Sequence, residues 1–274
     1  MKTTGHIAFH LLLIFIVSFI PQNAMALMAT PMQFNLNLTP GEKATKSIEV
    51  THTGTRPMSL TVSIKDFYYD RHGEKQESDP GIIAEGLGGF LKVSPMKLEI
   101  KPGESKLVNF TATIPSDAPG GHWSTIYITQ TNKPKPTKVA QGKSGLEIFA
   151  FFRVAIRVTQ FDISVKEKKG HISDMEIEFD NKTDRHVVVM AFENDTTNIM
   201  RCKGNVEILN EDGEKVATIP LYKRGAFTAY PYRPRITRTL IQKKLLPGTY
   251  TALAMIDFDA EDLVAGELEF EVNE

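Results

Sequence analysis

Cysteine is almost missing from this sequence. Cys202 is the single thiol among 274 residues, so neither an internal disulfide nor a cysteine-rich zinc site can form within the chain. Its place beside Arg201 leaves two readings, a reactive thiol and a partly buried strand-edge residue. An excess of one charge is missing as well. The 32 Lys and Arg are matched by 33 Asp and Glu, a formal net charge of −1, which leaves no global field for DNA or RNA. Helical periodicity is the third absence. Beyond residue 26 no window longer than ten residues keeps apolar positions at i, i+3, i+4 and i+7. Catalytic signatures are the fourth. There is no G-x-S-x-G, no P-loop, no G-x-G-x-x-G in a strand-to-helix setting, and no H-E-x-x-H or H-x-H spacing. No catalytic residue, cofactor or metal is therefore expected, and an enzyme is the least supported class. The chain is still 41% hydrophobic and 24% charged, the composition of a globular protein.

What is present begins at the N-terminus. Lys2 precedes an apolar run over residues 7–20, and Ala24-Met25-Ala26 puts small residues at the −3 and −1 positions of a cleavage site. This is the pattern of a secretory signal peptide over residues 1–26. The run is shorter than the ~20 residues of a spanning helix, although an uncleaved anchor stays open as a second reading. The mature chain, residues 27–274, is expected outside the cytoplasm, with no membrane span.

Period-two alternation recurs through the mature chain. Met58, Leu60, Val62 and Ile64 alternate with Ser59, Thr61 and Ser63; Val108, Phe110, Ala112 and Ile114 repeat the pattern. Ile172 is followed, after a one-residue slip, by Met175, Ile177 and Phe179. Each run suits a strand with one face on a core and one in water. Asp70-Arg71-His72-Gly73-Glu74 and Asn210-Glu211-Asp212-Gly213-Glu214 read as hairpin turns, and Pro-Gly pairs punctuate the rest. Many short strands at this spacing predict an all-β sandwich architecture. The longest apolar stretch, residues 146–158, reads as one strand, followed by a hinge at Thr159-Gln160-Phe161-Asp162. Two domains are expected, 27–159 and 160–274. The basic, proline-rich residues 132–138 predict an exposed loop, and residues 81–89, with four glycines, a flexible one.

Two phrases in the first domain share a grammar. One is Thr39-Pro40-Gly41-Glu42 followed by Ser47-Ile48-Glu49-Val50; the other is Val93-Ser94-Pro95, then Lys101-Pro102-Gly103-Glu104 followed by Val108-Asn109-Phe110. With Gly121-His122-Trp123-Ser124, the long apolar stretch, and the ending from Leu246-Pro247-Gly248 to Val272, these residues resemble the PapD-like family of periplasmic pilus and fimbrial assembly chaperones. The resemblance spans nearly the whole mature chain. It implies two immunoglobulin-like β-sandwich domains joined by a short hinge, a location in the periplasm, and a protein partner that is a subunit of a pilus or other surface structure, held by β-augmentation. It implies further that Leu146, Ile148, Ala150 and Phe152 form the subunit-binding strand. Arg157, in Ile156-Arg157-Val158, would hold the subunit's terminal carboxylate, a charge-assisted pairing. Residues 32–38 of the first strand carry no basic residue, where the family has an arginine.

Other readings of the same residues stay open. A stretch apolar on both faces is also what the buried centre of a sheet requires, and Arg157 reads equally as a surface arginine paired with an acid. The chain would then be a structural or adhesive module of an envelope complex. Tyr230-Pro231-Tyr232-Arg233-Pro234 reads as an exposed aromatic loop, with Tyr230, Tyr232 and Arg233 as possible contacts for a protein or a carbohydrate. The acidic residues 257–262 lack the glycine of a calcium loop and read as a solvated hairpin turn.

Overall fold

In a computed structural model of the chain the described residues are 27–70, 72–134, 137–141, 144–222 and 225–273, and for 137–141 and 144–148 only the backbone is described. The expected signal peptide, residues 1–26, lies outside them. The first twelve strands are β1 (Leu27–Thr30), β2 (Gln33–Asn37), β3 (Lys43–His52), β4 (Met58–Tyr69), β5 (Lys75–Ser78), β6 (Leu91–Ser94), β7 (Lys97–Ile100), β8 (Ser105–Thr113), β9 (His122–Gln130), β10 (Thr137–Gln141), β11 (Ser144–Ile148) and β12 (Arg153–Phe161). Eight more follow: β13 (Gly170–Asp180), β14 (Arg185–Asn194), β15 (Met200–Asn210), β16 (Lys215–Pro220), β17 (Phe227–Ala229), β18 (Arg235–Leu240), β19 (Gly248–Asp257) and β20 (Val264–Val272). The fold is all-β, two immunoglobulin-like sandwiches joined by a short hinge.

In the first sandwich, sheet β1-β3-β8-β6 packs on sheet β2-β12-β9-β4-β5, with β7 beside β4. The alternating residues meet in the middle. Ile48, Val50, Val108 and Phe110 face Leu60, Val62, Ile126, Ile128, Ile156 and Val158, each large aliphatic contributing ~1.5–3 kcal/mol by burial. The first segment of chain serves both sheets. β1 pairs antiparallel with β3, and β2 pairs parallel with β12. Pro31 stands at the switch, where its missing N–H costs neither ladder a bond. The repeated Pro-Gly-Glu phrase has a local explanation. Gly41 and Gly103 take φ +88° and +76°, open to glycine at no steric cost. The following glutamates then reach back, Glu42 accepting from the Thr39 N–H at 2.7 Å and Glu104 from the Lys101 N–H at 2.8 Å.

In the second sandwich, sheet β13-β14-β18 faces β16-β15-β19-β20, and β17 pairs with β15. The slip after Ile172 is a register shift of β13 against β14. Cys202 lies fully buried on β15 among Val206, Phe227 and Ala254, so neither the reactive nor the strand-edge reading describes it. Burial, helped by Asp257, pushes its thiol up to about 12. A thiol reagent is expected to leave the native protein unlabelled at neutral pH and to label it stoichiometrically in denaturant; labelling without unfolding would contradict this placement.

Two expectations differ from the structure. Residues 146–158 are not one strand. β9 runs out at Gln130, whose N–H donates to the Phe152 carbonyl at 2.9 Å, and the chain then turns into Lys133-Pro134. No β9 residue remains to pair with the chain before Phe152, and β10 and β11 pair with each other instead, Thr137 opposite Ile148 and Gln141 opposite Ser144. The loop over residues 81–89 is pinned rather than loose. Buried Asp66 accepts from the N–H groups of Gly81 at 3.0 Å and Gly88 at 2.8 Å and from the Ser124 hydroxyl. Ile83 and Leu87 of the loop itself are buried.

Candidate functional site

The two sandwiches meet on an aromatic seam. Trp123 of β9 is fully buried and donates its indole N–H to the Phe67 carbonyl at 2.6 Å. Phe67, Ile199 and Tyr230 close around it, with Tyr69 and Phe161 at the margin. The Trp123 and Tyr230 ring centres are 4.4 Å apart. The hinge is held by polar bonds. The Asp162 carboxylate accepts from the Gly120 N–H at 2.9 Å and from both the N–H and the hydroxyl of Ser164. Asn198, from the second sandwich, accepts from the Asp162 N–H and donates to the Asp162 carbonyl. Burial raises the Asp162 pKa, but the bonds from Ser164 and Gly120 outweigh it and hold the carboxyl below its ordinary value.

Beside this seam lies a cleft of about 530 Å3. Alternation along β12 decides what faces it. Val154, Ile156 and Val158 go into the core, so Arg153, Ala155 and Arg157 take the opposite face. Arg157 lines the cleft with its guanidinium 5.8 Å from the Phe67 ring centre. Arg201 of β15 lies over Phe161 at 5.4 Å and Arg235 of β18 over Tyr69 at 4.9 Å. Both line the same cleft, as do Gln33 and Asn35 from the outward face of β2. Among the described residues no acidic side chain lines it. Among the described residues none of these three arginines forms a salt bridge, so aromatic faces supply their stabilisation. Tyr230 is 4% exposed, and its hydroxyl has no hydrogen-bond partner among the described residues. Burial pushes its phenol up to about 12, against the opposing pull of Arg157 and Arg235. It therefore stays a donor at any physiological pH.

The site residues read from the sequence are only partly together. Arg157 is in the cleft, with its guanidinium over the Phe67 ring and no acidic partner among the described residues. Leu146 and Ile148 lie in the β10–β11 hairpin, and their side chains are outside the described residues. Ala150 is exposed, and Phe152 is half-buried against the first core. The exposed loop expected at Tyr230 is split. Tyr230 turns inward into the seam, Tyr232 is 63% exposed, and Arg233 lies over the Tyr68 ring at 4.8 Å. Tyr230 therefore offers no surface to a carbohydrate. Nothing in the linear sequence set Arg201 or Arg235 beside Arg157, because only the docking of the two sandwiches brings them together.

No family model matches this chain, and no curated protein sequence matches it. Solved structures do. The chain is similar to the class 5 fimbriae chaperone CfaA, at 12% identity and a TM-score of 0.45, over 88% of this chain and 98% of that one. It is similar to a structure of a chaperone–tip adhesin complex of CFA/I fimbriae biogenesis, at 14% identity and a TM-score of 0.46, over 89% and 97%. It is similar also to the CupB2 chaperone of Pseudomonas aeruginosa, at 12% identity and a TM-score of 0.40, over 90% and 100%.

One further feature lies along β12. On its β2 side only Arg157 to Phe161 are paired. Among the described residues no strand pairs with that side of residues 153–156. Arg153 lies 3.5 Å from the Tyr127 ring centre on the same face as Arg157. A half-open strand edge thus runs directly into the arginine cleft.

Proposed function

We propose that this protein is a periplasmic chaperone-like protein that binds subunits of a pilus, a fimbria or another surface structure. The partner segment lies against the last strand of the first sandwich and the chain leading into it, with Leu146, Ile148, Ala150 and Phe152 as the donated side chains. Arg157 takes the partner's terminal carboxylate. The observation that carries this reading is the edge of β12, unpaired over residues 153–156 and ending at a cleft arginine that has no acidic partner among the described residues. An unpaired edge offers backbone donors and acceptors to an incoming strand. A guanidinium beside it gives that strand a fixed end point. The resemblance of the Pro-Gly-Glu phrases and Gly121-His122-Trp123-Ser124 to periplasmic chaperones supports the same reading, and the signal-peptide pattern supports export.

The test is retention of a partner by the tagged protein from periplasmic extract, beside an Ile148→Asp, Phe152→Asp double variant. Phe152 packs on the core, so Ala150→Asp at an exposed position serves as a variant that leaves packing intact. Wild type is expected to retain a stoichiometric small β-rich subunit that both variants lose. Equal retention by all three, or none by wild type, would leave a structural or adhesive module in place of a chaperone.

A further inference from the structure

The arginines of the cleft outnumber what one carboxylate can neutralise. Arg157 and Arg235 are half-buried and Arg201 stands exposed at the mouth. They share one cavity of about 530 Å3 with no acidic lining residue among the described residues. The Arg235 Nε and the Tyr230 hydroxyl are buried with no hydrogen-bond partner among the described residues. Unmet buried donors are costly, and like charges in a partly enclosed space are screened less than at an open surface. A single carboxylate on Arg157 leaves the second-sandwich pair and the phenol unanswered. Gln33 and Asn35, on β2, add amides and no charge.

We infer that the cleft is built for two negative charges at once, a peptide's terminal carboxylate and the carboxylate of an acidic residue at or next to that terminus, with Arg157 taking the first and Arg201 with Arg235 the second. This rests on the reading of Arg157 as the carboxylate anchor and adds a preference in the partner, a C-terminal segment ending in or beside Asp or Glu. It also makes the second sandwich a direct contributor to recognition. A terminal aspartate presents both carboxylates within one residue.

Two small probes separate the charges. N-acetyl-L-aspartate carries both carboxylates, and N-acetyl-L-asparagine carries one on nearly the same shape. Titration of each into the purified protein, followed by NMR of the arginine Nε–Hε groups, is expected to give about tenfold tighter binding for N-acetyl-L-aspartate, the worth of one charge-assisted contact. Arg201→Gln combined with Arg235→Gln is expected to erase that preference and leave the N-acetyl-L-asparagine affinity and the Arg157 shift in place. Because Arg235 stacks on the interdomain seam, the corresponding lysine pair is the second variant and is expected to keep the preference. Equal affinities in wild type, with Arg157 still responding, overturn the two-charge inference alone. No response at Arg157 to either probe overturns the carboxylate anchor as well. Tighter binding of inorganic phosphate than of N-acetyl-L-aspartate would make this a phosphate site and overturn the peptide assignment.

Discussion

Replacing Trp123 by alanine should destabilise the protein by about 3–5 kcal/mol and uncouple its two halves. The first figure is the usual cost of emptying a large buried aromatic site, and the indole is fully buried here. The second effect follows from where the indole sits. It touches Phe67 of the first sandwich and Tyr230 of the second, and its N–H satisfies the Phe67 carbonyl, so its loss removes packing from the seam itself. Urea unfolding followed by circular dichroism is the measurement, since the variant has no tryptophan left to report fluorescence. Wild type is expected to unfold in one transition and the variant in two. One transition with a loss under about 1 kcal/mol would mean that the hinge bonds of Asp162 and Asn198 hold the domains without the seam.

Replacing Asp66 by alanine should cost about 3 kcal/mol or more. The carboxylate is fully buried, and three donors depend on it: the Gly81 and Gly88 N–H groups and the Ser124 hydroxyl. Each donor left unsatisfied in the interior costs about 1–3 kcal/mol, with partial relief as water enters. The loop is moulded to the carboxylate. A Cβ at Gly86 would stand 2.3 Å from an Asp66 oxygen and one at Gly88 2.7 Å from the other. Asp66→Asn keeps the shape but turns a donor toward N–H groups, and should fall between wild type and alanine. Limited proteolysis reads the local effect. The alanine variant should be cut within residues 79–90 at protease levels that leave wild type whole. Unchanged resistance would show that buried Ile83 and Leu87 suffice to hold the loop.

The strands were legible because alternation is a local property. Val108, Phe110 and Ala112 announce a one-sided strand whatever lies opposite, and the register break after Ile172 is visible as a missed beat. The Pro-Gly-Glu turns were legible for the same reason, since Glu42 and Glu104 bond within three residues of themselves. Residues 146–158 misled because apolarity does not report whether a neighbour exists, and β9 ends before it could pair with the first half. Tyr230 and Tyr232 are indistinguishable in composition, yet one is in the seam and the other in water. The charge of the cleft was the least legible feature. Arg157 was visible through family resemblance, while Arg201 and Arg235 reach it across a domain boundary that no spacing encodes.

The parallel pairing of β2 with β12 has a consequence for the order of assembly. Gln33 waits for Arg157 and Asn37 for Phe161, so the second segment of the chain to be made finds its neighbour only when the first sandwich is nearly complete. Closing so long a loop carries an entropy penalty that local hairpins such as β4–β5 avoid. During synthesis the backbone edge of β2, together with the core side chains Phe34 and Leu36, therefore waits longest for a partner. The strand that closes the first sandwich is also the one that carries Arg157, and the cleft is complete only once the second sandwich has docked Arg201 and Arg235 beside it, so no partly made chain presents it.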